Sequence, residues 1–132
     1  MGLDQEIRKR FGVHEGDTLP NKARNCSREM LAKFMGEMGL KNGAEIGVLK
    51  GDYSQVLCHS IPDIKLKLID PWIPFGRNYS TMRRIEGCME RTRNKTNGFD
   101  VELIRKGSLD AVKDIPNNST KLQYPTYTYI IY

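Results

Sequence analysis

The chain has 132 residues, 39% of them hydrophobic and 28% charged, with three cysteines and a formal net charge of +5. Such a length excludes two independent domains, yet it suffices for one core that buries roughly 65–70% of the surface exposed on unfolding. Cys26, Cys58 and Cys88 fit neither a zinc spacing nor a disulfide framework, no apolar run reaches the about eighteen residues of a membrane span, and the polar start Met1–Glu6 is no signal peptide, so a cytoplasmic protein with reduced thiols, no metal and no membrane contact is expected.

Residues 1–24 mix charged and turn-forming types without a sustained period; a short helix over Gln5–Phe11 is expected in this N-terminal extension. From Asn25 the pattern sharpens. Asn25 or Ser27 can cap a helix with Met30, Leu31, Phe34, Met35 and Met38 on its apolar stripe, ending at Gly39. Asn42–Lys50 is a short apolar strand that runs into a turn, Gly47-Val48-Leu49-Lys50-Gly51. Asp52 with Gln55 three residues later resembles a capping box for a helix carrying Tyr53, Val56, Leu57 and Ser60 inward until Pro62. Leu66, Leu68 and Ile69 form a second strand, closed by Asp70-Pro71-Trp72 because proline cannot continue a ladder.

A loop over 73–78 leads to a third helix with Met82, Ile85 and Met89 on one face, then a third strand through Val101, Leu103 and Ile104. Ser108 is placed to cap a last short helix through Leu109, Val112 and Ile115, ended by Pro116. Strand and helix alternate three times, which predicts an α/β fold: a Rossmann-like parallel sheet with flanking helices, incomplete at three or four strands. Residues 25–119 form this half-domain. After Ser119 the character changes, with four of six tyrosines between Tyr124 and Tyr132 and one charge, Lys121.

In an open parallel sheet, ligands collect beyond the carboxyl ends of the strands, at the first strand-to-helix turn. A dinucleotide fingerprint needs glycine where this turn has Leu49, whose side chain is expected to obstruct a pyrophosphate. Glu45 puts a carboxylate near the turn to attract a positive group, and Asp70 stands where an acid accepts hydrogen bonds from ribose hydroxyls. A nucleoside joined to a cation is the ligand these residues imply.

The stretches Glu45–Ser54, Leu68–Trp72 and Leu103–Ser108, in this order and spacing, resemble the class I S-adenosylmethionine-dependent methyltransferases over about residues 25–119. The resemblance implies that S-adenosyl-L-methionine is the cofactor and methyl transfer to a small-molecule acceptor the parent activity. By the same likeness Glu45, Gly47 and Gly51 line its methionine end, Asp70 holds the ribose, and Trp72 and Ser108 flank the adenine. It also implies a central fourth strand ending in aspartate, then further elements. The sequence after Ser119 has neither, so it reads as a truncated enzyme whose frame slipped near Ser119, inactive and binding cofactor weakly at best.

A plainer reading of the tail, residues 120–132, makes Tyr127–Tyr132 the fourth strand. Being uncharged and β-prone, it exposes an edge through which the chain can self-associate. Catalytic residues stay unassigned, since His14 and His59 lie outside the motifs. From another class comes a basic module that binds nucleic acid through Arg83–Lys95, because residues 77–106 hold eight basic and four acidic groups, four of the five net charges. A solvated helix face explains that excess more simply than nucleic acid does.

Overall fold

A computed structural model describes residues 2–14, 16, 25–74, 83–115 and 128–131. The elements are α1 (Leu3–Phe11), α2 (Arg28–Glu37), β1 (Asn42–Ile46), α3 (Asp52–Ser60), β2 (Lys65–Ile69), α4 (Cys88–Lys95), β3 (Asp100–Ile104), α5 (Ser108–Ala111), a 3-10 turn (Val112–Asp114) and β4 (Thr128–Ile131). The sheet order is β3-β2-β1-β4, and every neighbouring pair is parallel. This is the Rossmann-like α/β fold that the alternation of elements predicts.

Alternation along the strands divides the core between the two faces of the sheet. Leu66 and Leu68 point to one side and pack with Leu57 and Cys58 of α3, Met35 of α2 and Cys88 of α4. Ile69 and Ala44 point to the other, where Ala111 and Ile115 cover them. Glu45 follows Ala44 and so shares the α3 face, the only carboxylate among the buried groups described. Leu57 is fully buried at the centre of the larger cluster. Leu57→Ala is expected to lower the unfolding free energy by about 2–5 kcal/mol through lost transfer energy and the cavity left behind, read from a urea titration.

The N-terminal helix joins this packing. Phe11 is buried and meets Phe34 edge-on, ring centroids 5.3 Å apart, while Arg10 bonds Glu37 at 2.9 Å. Ser27 is the cap of α2, its hydroxyl accepting the Met30 N–H at 3.1 Å. Phe34 and Met35 of the expected stripe are buried; Met30 and Met38, at its margins, are exposed.

Several local expectations are corrected. Asp52 and Ser108 are not caps: Gly51 and Gly107 occupy those positions without a side-chain bond, and each acid or hydroxyl stands one residue inside its helix. Asp52 instead pairs with Lys95 and Lys50. The third helix is interrupted at residues 86–87, where Gly87 takes φ +71, and restarts at Cys88. In the last helix Ala111 and Ile115 face inward, whereas Leu109 and Val112 are exposed, because so short a helix follows the sheet with one small residue per turn.

The tail supplies the fourth strand, as its plainer reading expects: β4 pairs with β1 from Gly43↔Thr128 to Ile46↔Ile131. Within the described residues β3 and β4 are then the edge strands. Residues 75–78, Met82, Ser119, Tyr127 and Tyr132, named in the sequence reading, lie outside the described residues. No helix among those described is long and apolar enough to cross a membrane.

Candidate functional site

The site grows from the chain reversal after β1. Ile46 ends the strand, Gly47 turns with φ +81, Leu49 takes φ +56, and Gly51 closes the turn with φ +78 as α3 begins. Gly51 N–H donates to Val48 O at 3.1 Å, which shapes the turn locally. Gly51 is also required by its surroundings, since a Cβ there would stand 2.9 Å from the Thr92 Cα on α4. Gly51→Ala is therefore expected to cost about 2–3 kcal/mol, combining left-handed strain with displacement of α4. The shift of the urea midpoint measures it.

Asp70, one residue past β2, reaches across to this turn. Its Oδ2 accepts the Leu49 N–H at 2.9 Å and its Oδ1 accepts the Trp72 N–H at 2.7 Å. The Trp72 indole returns the contact, Nε1 donating to Leu49 O at 2.7 Å; the Thr92 hydroxyl, with one proton, stands 2.9 Å from Cys88 O and 3.2 Å from the Leu49 carbonyl. Leu49 and Trp72 both have positive φ, +56 and +46, in a region that costs a non-glycine residue about 1–2 kcal/mol. Three hydrogen bonds, one direct and two through Asp70, hold these two strained residues against each other at the end of the sheet. Strain of this kind clusters where a surface is shaped for a ligand.

Three of the turn's five backbone donors are committed. Gly47 N–H goes to Ile69 O at 2.9 Å, Leu49 N–H to Asp70 and Gly51 N–H to Val48 O. A phosphate at this place would meet a carboxylate where a dinucleotide fold offers amides. The Leu49 side chain, expected to obstruct a pyrophosphate, packs against the core, and it is the Leu49 amide that the Asp70 carboxylate occupies.

Glu45 lies beneath the turn, 1% exposed, its Oε2 accepting the Ser54 hydroxyl proton at 2.6 Å. Burial pushes its pKa up to about 7; the Ser54 hydrogen bond and then the nearby Arg28 guanidinium oppose that, and Asp70 adds to it. Arg28 opens α2, stacks its guanidinium carbon 5.3 Å from the Tyr53 ring centroid, and accepts the Tyr53 hydroxyl proton on its backbone carbonyl at 3.0 Å. The corner is thus one buried acid with a single short hydrogen bond and a cation at its rim.

Of the residues singled out from the sequence, the structure brings Glu45, Gly47, Gly51 and Asp70 to one corner, joined through the turn and α3. Trp72 is drawn inward: it is 6% exposed, belongs to the core, and lies under Leu49. Its neighbour Ile73, 51% exposed, lines a cleft of about 640 Å³ between residues 71–73 and Arg105–Gly107. Ser108 is exposed beside that cleft as the first residue of α5.

Sequence reasoning missed Ser54 and Thr92. Thr92 sits inside the arginine-rich stretch, and its signal was the spacing Cys88, Thr92, Thr96, small residues four apart that form the buried stripe of α4. The charges around it are partly matched within the fold, Arg93 to Glu90 and Lys95 to Asp52.

No family model matches the chain, and no curated protein does. Two of the solved structures it resembles are described as proposed O-methyltransferases. One is a proposed caffeoyl-CoA O-methyltransferase from Staphylococcus aureus, 17% identical, with a TM-score of 0.48 over 84% of this chain and 46% of that one. Another is a proposed O-methyltransferase from Klebsiella pneumoniae, 18% identical, with a TM-score of 0.49 over 87% of this chain and 47% of that one. The chain spans about half the length of these structures.

Proposed function

We propose that this chain carries the S-adenosyl-L-methionine-binding half of a class I methyltransferase. The observation that carries the reading is the Asp70 carboxylate clasped to the turn after β1, 2.9 Å from the Leu49 amide, above a buried glutamate. This donor set suits a ligand with a cation and a sugar but no phosphate. Glu45 supplies negative charge toward the methionine ammonium, and the Gly47–Gly51 turn lets the backbone run alongside the methionine.

Asp70 holds the ribose. Each of its oxygens accepts one backbone N–H and retains a lone pair for a hydroxyl. The two N–H donors fix the carboxylate's orientation before any ligand arrives, which lowers the ordering cost of binding. The adenine belongs in the cleft beside Ile73 and Gly107, with Ser108 at its margin and Trp72 supporting the turn from below.

When bound, the cofactor supplies a sulfonium methyl group open to displacement by an acceptor nucleophile. The chain's contribution is to fix the donor's position, and positioning of both reactants is worth at most ~7–11 kcal/mol of a methyl-transfer barrier. His59 contacts Phe99 on the outer side of α3 and takes no part. A thermal-shift comparison tests the reading. S-adenosylhomocysteine at saturating concentration is expected to raise the midpoint by several degrees, adenosine less and NAD not at all. An NAD shift equal to that of S-adenosylhomocysteine contradicts it.

A further inference from the structure

On the α4 side of the Asp70-Pro71-Trp72 segment lies a second cleft, of about 700 Å³, that the cofactor reading does not use. This volume falls in the range of small-molecule sites. Trp72, Ile85 and Met89 provide an apolar floor, and three guanidinium groups, of Arg83, Arg93 and Arg105, stand in its walls. Guanidinium forks match the geometry of carboxylates and phosphates.

The cleft's carboxylates, Glu86 and Glu90, are outnumbered by its three arginines, and the Arg93–Glu90 ion pair is weak. Arg93 meets Glu90 at 3.4 Å with both side chains more than half exposed, an arrangement worth little. Arg105 commits its Nε–H to Pro71 O at 3.4 Å, which keeps the guanidinium over the 71–74 segment with its terminal N–H groups still to be used.

We propose that this cleft binds a small organic anion, its carboxylate or phosphate received by Arg93 and Arg105 and its apolar body resting on Ile85 and Met89 above Trp72. The incoming anion displaces Glu90 from Arg93. Trp72 is shared: its indole borders the cleft while its N–H groups hold Asp70 and Leu49. An occupant therefore touches the support of the candidate cofactor turn. The anion site itself does not depend on the cofactor reading.

Trp72 is the only tryptophan, so its fluorescence reports the cleft directly. The chain is titrated, without any cofactor analogue, with phenyl phosphate, benzoate, inorganic phosphate and benzyl alcohol. A saturable change is expected with phenyl phosphate and benzoate at millimolar concentration or below, and at least tenfold weaker binding of the alcohol, which lacks charge, and of inorganic phosphate, which lacks the apolar body. Arg93→Gln and Arg105→Gln are each expected to weaken phenyl phosphate about tenfold, and Arg91→Gln, on α4 but outside the cleft, to leave it unchanged. Circular dichroism of each variant checks the fold.

Binding that survives both substitutions, or benzyl alcohol matching benzoate, or no saturable change with either aromatic anion, overturns the proposal. Failure of S-adenosylhomocysteine to bind, with phenyl phosphate still saturating, counts against the cofactor reading alone.

Discussion

Replacing Asp70 by alanine is expected to abolish saturable binding of S-adenosylhomocysteine and to lower the unfolding free energy by about 3–6 kcal/mol, since each of two hydrogen bonds to a carboxylate contributes about 1.5–3 kcal/mol. The carboxylate accepts two backbone N–H groups, from Leu49 and Trp72, and both residues have positive φ. Without it the amides lose their acceptor and the strain loses its restraint, so the turn relaxes as the ribose contact disappears. Asp70→Asn separates the two effects. The amide oxygen can still accept one N–H, but its NH2 faces the other donor, so about half the stability loss is expected with most of the affinity gone. Urea unfolding and calorimetric titration of both variants read this out; a variant that folds as stably as the parent and binds as tightly removes Asp70 from the site.

Glu45 is expected to make the free protein less stable as pH rises from 4.5 to beyond 7. In the unfolded chain the group titrates at its ordinary value of 4.5, and in the fold at about 7, chiefly through burial. Between those values the folded state holds a proton that the unfolded state has released. The contribution is therefore complete below pH 4.5 and lost as pH climbs through 7, amounting to about 3 kcal/mol. Glu45→Gln keeps an acceptor for the Ser54 hydroxyl and cannot ionise, so the difference between variant and parent should grow in the variant's favour toward pH 8. Asp52, whose carboxyl is held below the usual range first by its hydrogen bond to Lys95, has the opposite slope at lower pH, and it cancels in that difference.

The same glutamate gives binding a pH signature. The ligand's ammonium group favours the ionised carboxylate, so S-adenosylhomocysteine affinity is expected to rise about tenfold from pH 6 to pH 8 in the parent, and to stay flat in Glu45→Gln. A flat profile in the parent denies Glu45 any charge contact with the ligand.

The order of elements and the corner itself were legible in the sequence because they depend on local features: the Ser27 cap, the glycine-bounded turn after a short apolar strand, and an acid followed by proline at the end of the next strand. What escaped depends on tertiary contact. Nothing local shows that the Trp72 indole would find the Leu49 carbonyl. Thr92 was hidden among arginines, its role set by the approach of α4 to Gly51. The inward and outward faces of the last helix were misread because a four-residue helix holds too few positions for a period to emerge. The pairing of β4 with β1 joins segments some eighty residues apart, and no pattern within either one specifies it.

The central claim is that the turn after β1 and the carboxylate at the end of β2 form one nucleoside-binding corner. Two-dimensional amide NMR of the uniformly 15N-labelled chain, recorded with and without S-adenosylhomocysteine, tests it most directly. The account predicts that the amides of Gly47, Leu49, Gly51 and Asp70 and the Trp72 indole shift together along one saturation curve. Shifts confined to other parts of the chain, or none at saturating ligand, would contradict it.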